Sequence, residues 1–133
     1  MKDNLTIVQE SYASGKAGDI PGILKDISDD CKWTEMAGHI YAGTFVGRDE
    51  ILKNVFARIG DEWRDFAAVP GEFLCDGDKV VVLGNYSGTN LNTEKFMDIR
   101  FVHVWTLNNG KIVELEQFTD TAILRWAADD HYG

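Results

Sequence analysis

Two ionisable side chains sit inside otherwise apolar, extended-looking segments: Glu35 in Trp33-Thr34-Glu35-Met36, and His103 in Phe101-Val102-His103-Val104-Trp105. Alternation along a strand puts Trp33 and Glu35 on one face, so burying the indole takes the carboxyl with it. A carboxyl in such surroundings needs a partner or a raised pKa, and a raised pKa suits a general base working near neutrality. An exposed glutamate at a strand end is the alternative. Around His103 both alternating sets are largely apolar, Phe101, His103, Trp105 and Leu107 against Val102, Val104 and Thr106. The imidazole is therefore enclosed on either register, and it must hydrogen-bond or stay neutral. A satisfied core histidine is the alternative to a pocket-lining one. Farther along, Val113, Leu115, Gln117 and Thr119 alternate with Ile112, Glu114, Glu116 and Phe118. The two glutamates mark the second set as the solvent side, which turns Leu115 and Gln117 inward. There Gln117 either orients a ligand carbonyl or hydroxyl or serves as a hydrogen-bonding partner for His103.

The elements that must position these groups follow from hydrophobic period. Leu5, Ile7, Val8 and Tyr12 predict a short first helix, stopped at Gly15-Lys16-Ala17-Gly18. Asp19 and Pro21 open a second, whose stripe runs Ile20, Ile23, Leu24, Ile27. Cys31 to Met36 reads as a short strand, and the glycine-flanked stretch from Gly38 to Gly47 reads as a loop with a short extended piece. His39 and Tyr41 in that loop either cover a pocket mouth or are ordinary surface residues. A third helix starts near Asp49, with Ile51, Leu52, Val55, Phe56 and Ile59 on one face and Gly60 after it.

Beyond Gly60 the period changes to that of strands, over Trp63 to Leu74, Lys79 to Thr89, Lys95 to Leu107 and Lys111 to Thr119. Pro70 implies an edge position or a bulge in the first of these, and Asn109-Gly110 is a strong hairpin signal between the last two. Thr119 or Asp120 caps a closing helix of Ala122, Ile123, Leu124, Trp126 and Ala127. Helices followed by a long-stranded meander give an α+β layout, and a sheet bent by a bulge can wrap a pocket instead of packing flat. Trp33, Tyr41, Phe56, Trp63, Tyr86 and Trp105 are large enough to fill a small core or to line a cavity.

Composition narrows the function classes. The 133 residues carry 22 acidic against 13 basic side chains, a formal charge of -9, which opposes binding to nucleic-acid phosphates or anionic membranes. Cys31 and Cys75 are two and far apart, so neither a disulfide framework nor a structural zinc site is supported, and a reducing, cytoplasmic setting is the default. No apolar run approaches the roughly 18 residues that span a bilayer. Histidines at 39, 103 and 131 form no metal-ligand spacing, and no metal or cofactor is expected. His131, near the end of the chain, is given no role.

The run Gly18-Asp19-Ile20-Pro21-Gly22-Ile23-Leu24 through Ile27-Ser28-Asp29-Asp30-Cys31-Lys32-Trp33-Thr34-Glu35 resembles the opening of the nuclear transport factor 2-like superfamily. Phe101-Val102-His103-Val104-Trp105-Thr106-Leu107, then Gly110-Lys111-Ile112 and Glu116-Gln117-Phe118-Thr119-Asp120, are similar to its ketosteroid isomerase and SnoaL-like polyketide cyclase branch. The resemblance covers nearly the whole chain. It is specific for a cone-shaped fold and weak for the reaction, because that fold carries isomerases, cyclases, dehydratases, epoxide hydrolases and plain binding proteins. It implies that Glu35 stands where ketosteroid isomerases place a catalytic Asp base. Their protonated oxyanion-site Asp falls at His103 if one turn is a residue shorter here, or at Val102 with no gap. Their oxyanion Tyr falls near Tyr12. The limonene epoxide hydrolase branch needs an Asp where Gln117 stands, and an Arg and Asp that Leu83-Gly84-Asn85-Tyr86-Ser87 does not supply, so epoxide hydrolysis is disfavoured.

The expectation is one cone-shaped α+β domain over residues 1–133, helices packed on a strongly curved antiparallel or mixed sheet around an apolar pocket. Glu35 is the candidate base and His103, helped by Tyr12 or Gln117, its polar counterpart, the carboxylate taking a proton beside a carbonyl while the imidazole donates to the developing oxyanion. Trp33, Gln117, Leu115, Trp105, Phe56 and Tyr86 line the pocket. The chemistry is cofactor-free isomerisation, cyclisation or dehydration of a small hydrophobic carbonyl compound, in a homodimer paired through the sheet. The alternative is a non-catalytic small-molecule-binding or dimeric assembly protein of the same fold.

Overall fold

Asp3 opens the first helix by accepting a hydrogen bond from the Thr6 amide at 2.8 Å. In the computed structural model, which describes residues 2–129, this helix, α1, spans Asn4–Ala17. It continues through Gly15, so the predicted stop comes too early: packing of Ile7 and Val8 into the core outweighs one unfavourable glycine, and the helix ends at Gly18. α2 is only Ile20–Leu24, with Asp19 accepting from the Gly22 amide at 3.0 Å. Ile27, predicted to complete its stripe, instead begins β1 (Ile27–Glu35), which takes in Ser28-Asp29-Asp30. The helical stripe and the strand alternation share that one apolar residue, and pairing with a neighbouring strand decides it. His131 lies outside the described residues.

β2 (Gly43–Val46) is the short extended piece inside the loop. The third helical region runs without a break as α3 (Arg48–Ile51), a π-helical turn (Leu52–Phe56) and α4 (Ala57–Glu62), passing through Gly60 rather than ending there. β3 (Trp63–Asp76), β4 (Lys79–Asn90), β5 (Phe96–Asn108) and β6 (Lys111–Thr119) follow, and α5 (Thr121–Ala128) closes the chain, with Asp120 capping it through the Ile123 amide at 3.0 Å.

The strands form one mixed sheet in the order β2-β1-β6-β5-β4-β3. All neighbours are antiparallel except β1 and β6, which run parallel. Pro70 sits on the edge strand β3 beside a register shift, where a missing amide costs the ladder least. Asn109 and Gly110 both have positive φ, 50° and 78°, as a two-residue hairpin turn requires. A second shift near Thr106 changes the phase of β6, so that Ile112, expected on the outer side with Glu114 and Glu116, is fully buried together with Leu115 and Gln117. α1, α2 and the third helical region pack against the inner side of this sheet, and the core gathers there around Ile7, Val8, Ile51, Val55 and Phe101. Cys31 is buried and Cys75 exposed, both as free thiols.

Candidate functional site

Register places three polar side chains in one row across the middle of the sheet. Glu35 on β1 is paired with Gln117 on β6, and Gln117 with His103 on β5. The adjacent inward row is Trp33, Leu115 and Trp105. Because strands lie about 4.8 Å apart, such a row holds its members at fixed separations. Helices α1 and 48–62 stand over this floor without filling the space above it. The result is a cavity of about 900 Å³, at the upper end of the range for small-molecule sites. Tyr12, Trp33, Glu35, Phe56, Tyr86, His103, Trp105, Leu115 and Gln117 all line it. Val102 lies on the opposite side of β5, only partly buried, so the one-residue-shorter turn is the alignment that reaches the cavity.

The Glu35 end is buried and incompletely paired. Glu35 is 6% exposed; it accepts from Trp33 Nε1 at 3.3 Å and from Gln117 Nε2. Burial pushes its carboxyl pKa up, and these two hydrogen bonds only partly oppose that. His39 is also buried at the cavity wall, with Nε2 at 3.9 Å from Glu35 Oε2. Its Nδ1 accepts from the Tyr41 amide at 2.9 Å, which puts the proton of the neutral ring on Nε2, the side facing Glu35. Burial, with the charges of Arg58 and Arg125 added, lowers the His39 pKa to about 4, so the ring is neutral at physiological pH. The 38–41 segment is anchored by Tyr41, whose hydroxyl donates to Glu62 at 2.8 Å and accepts from Trp63 Nε1 at 3.1 Å, and by Arg125 donating to the Gly38 carbonyl at 2.6 Å. His39 and Tyr41 thus belong to the cavity rather than to an ordinary surface loop.

The His103 end is a chain of hydrogen bonds. Trp105 Nε1 donates to the Tyr12 hydroxyl at 3.0 Å, and the Tyr12 and Tyr86 hydroxyls meet His103 Nδ1 and Nε2, each at 2.5 Å. Gln117, held by Glu35, is not a partner of His103. Burial drags the His103 pKa to about 3. A neutral imidazole accepts at only one nitrogen, so one of the two tyrosine protons is left over. Tyr12 already accepts from Trp105, and donating to Nδ1 satisfies it. With the ring proton on Nε2, His103 donates to Tyr86 and the Tyr86 proton is the spare one; with it on Nδ1, the spare proton is that of Tyr12. Burial first, then the charges of Glu35 and Tyr12, raises the Tyr86 pKa.

Packing fixes this chain. Phe101 stacks on the His103 ring at 3.9 Å between centroids and 16° between planes, and it does so across Gly84, its partner on β4. A Cβ at Gly84 would come within 2.3 Å of the Phe101 ring and 2.5 Å of the Val69 carbonyl oxygen, so glycine is needed here for close approach. On the far wall Phe56, in the π-helical turn, meets Trp33 edge-on at 5.4 Å. No group of His, Cys, Asp and Glu side chains able to hold a metal ion occurs among the described residues, and no described helix is long and apolar enough to cross a membrane.

A helix-covered, unclosed six-stranded sheet with a polar row inside an apolar cavity defines the cone-shaped nuclear transport factor 2-like class. Residues 8–115 match the SnoaL-like domain, and the chain belongs to that family. A nuclear transport factor 2-like protein from Burkholderia thailandensis is 41% identical, with 96% of this chain and 98% of that one covered at a TM-score of 0.93. TerC, crystallised with polyporic acid, is 31% identical over 93% of this chain and 96% of its own, at 0.85. A candidate SnoaL-like polyketide cyclase from Jannaschia sp. CCS1 shares the fold at 19% identity and a TM-score of 0.81, covering 96% and 92% of the two chains. No curated protein matches the chain at a significant level.

Proposed function

We propose that this protein catalyses cofactor-free proton transfer on a small hydrophobic carbonyl compound held in the cavity. The observation that carries this reading is the juxtaposition, in one largely apolar enclosure, of a desolvated carboxyl and two tyrosine hydroxyls that share one neutral imidazole, which leaves one hydroxyl proton for a ligand. Glu35 is the base: its raised pKa makes the carboxylate basic enough to take a proton from a carbon beside the carbonyl. As charge moves onto the carbonyl oxygen, the Tyr86 hydroxyl donates to it, with His103 and Tyr12 behind it as positioning residues. In this reading His103 acts through the tyrosines, not by direct donation, because both its ring nitrogens are occupied. The enolate then picks up a proton at another carbon, attacks a second carbonyl or expels a β-leaving group; isomerisation, cyclisation and dehydration share this first step. The SnoaL-like family and the cyclase-like structural neighbour agree with that chemistry, and TerC's co-crystallisation with polyporic acid supports an organic ligand in the cavity.

The test is exchange of α-protons of a panel of enolisable ketones in heavy water. The reading predicts exchange well above that of the Glu35→Gln protein; equal rates in the two proteins end it. Binding without exchange would favour the alternative, a non-catalytic binding protein. For the sheet's outer side we propose pairing with a second copy of the chain. Leu74, Val81 and Val104 adjoin across three strands there, as do Leu83, Val102 and Phe118, with Leu74 52% and Phe118 42% exposed. A monomer by sedimentation would remove that proposal. We propose a cytoplasmic setting, which the two free thiols support.

A further inference from the structure

Gln117 carries an unused acceptor. It is 2% exposed, its Nε2 donates to Glu35, and its Oε1 is the one buried side-chain oxygen or nitrogen among the described residues without a hydrogen-bond partner. Turning the amide over would set Oε1 against the carboxylate oxygen, so while Glu35 is ionised the orientation is fixed. A buried carbonyl oxygen left unpaired is costly, which makes it a strong discriminator once a donor arrives. The register puts Gln117 between Glu35 and His103 in the same row, on the cavity floor. The opposite shortage exists at the two tyrosines on His103: one neutral imidazole accepts from only one of the Tyr12 and Tyr86 hydroxyls, and with Nε2 protonated the spare proton is that of Tyr86.

We propose that the cavity is specific for hydroxylated carbonyl compounds: the ligand's carbonyl oxygen accepts from Tyr86 and a separate hydroxyl group of the same ligand donates to Gln117 Oε1. This rests on the cavity being the ligand site, but not on turnover there. The surrounding wall, Trp33, Phe56, Trp105 and Leu115, is apolar, so the rest of the ligand is a hydrocarbon or aromatic body. Glu35 is the buried acidic group beside Gln117, and its negative charge disfavours a ligand carboxylate there. The preferred ligand is therefore a neutral hydroxy-ketone rather than a keto acid or a simple ketone.

The test is binding of ring-hydroxylated α-tetralones, each paired with its methyl ether, together with the unsubstituted parent, read by tryptophan fluorescence and calorimetry. A methyl ether keeps the oxygen and loses the proton. At least one hydroxylated member should bind about tenfold or more tightly than its ether in the unaltered protein. In Gln117→Met and Gln117→Leu that preference, read as the hydroxyl-to-ether affinity ratio within each variant, should shrink to within about twofold, because Gln117 also holds Glu35 and the absolute affinities move with it. Equal binding of every hydroxyl–ether pair, or no saturable binding of any member, overturns the proposal. So does a preference that survives undiminished in both variants. The comparison within the unaltered protein needs no variant to fold. Exchange of tetralone α-protons, measured in the same samples, separates this from the proposed reaction: preference without exchange sinks only the base, and exchange without preference sinks only the hydroxyl subsite.

Discussion

The two polar ends of the cavity are built on opposite rules. At the His103 end nearly every group is satisfied: Trp105, Tyr12, His103 and Tyr86 are joined in one hydrogen-bonded chain, and Phe101 lies flat on the imidazole. At the Glu35 end an acceptor is left over: the carboxyl is desolvated and takes one hydrogen bond at each oxygen, His39 stops at 3.9 Å from it, and Gln117 holds an idle oxygen. A closed network positions, and an open one reacts.

Substitutions that separate the two ends should do so by size of effect. Glu35→Gln keeps the shape of the side chain and removes the base, so α-proton exchange should fall by about 100- to 10,000-fold while the thermal unfolding curve changes little. Tyr86→Phe removes the leftover donor and should slow exchange by about 10- to 100-fold, read from single-turnover rates. Gly84→Ala pushes Phe101 off the imidazole and should cost roughly 1–3 kcal/mol of stability in urea titration, with ligand binding impaired as well. Tyr12→Phe strips both Trp105 and His103 of a partner and should cost roughly 1–3 kcal/mol, with less effect on exchange than Tyr86→Phe. A Tyr12→Phe protein that loses more activity than Tyr86→Phe would reverse the assigned direction of the relay.

A further effect is in pH dependence. The folded values of His39 and His103, about 4 and about 3, lie below the 6.5 of an unhindered histidine. Below pH 6.5 the unfolded chain therefore takes up protons that the folded chain refuses, and stability drains away as the pH falls toward those values. Glu35 works the other way: its raised value means that its contribution is present in acid and is lost as the pH rises above 4.5. Unfolding curves between pH 4 and 8 should show a shallower acid loss in His39→Gln; an unchanged slope would mean that the imidazole is not held neutral.

Much of this was legible in the residues. Strand alternation put Glu35 with Trp33, and His103 with Phe101 and Trp105, on common faces, and the resemblance aligned the two polar residues with one pocket. The floor of the site is set by period-two patterning, which sequence carries well. Its walls are not. For His39 the sequence leaves a pocket mouth and an ordinary surface loop equally open, because the segment is anchored by Tyr41 reaching Glu62 and Trp63, contacts that no local pattern encodes. Tyr86 could be placed in the wall but not at the end of a relay, since that role follows from where two other side chains spend their protons. Ile112 was misplaced because a register shift breaks the alternation silently. Gly84, inside an apolar strand, was the available signal of a close approach.

Desolvation of Glu35 is the central claim, and NMR titration of its side-chain carboxyl carbon in the otherwise unaltered protein measures it directly. The structure predicts a midpoint clearly above the ordinary 4.5 of a glutamate, moving further when a neutral ligand fills the cavity and excludes water. A midpoint at or below 4.5 would contradict the account.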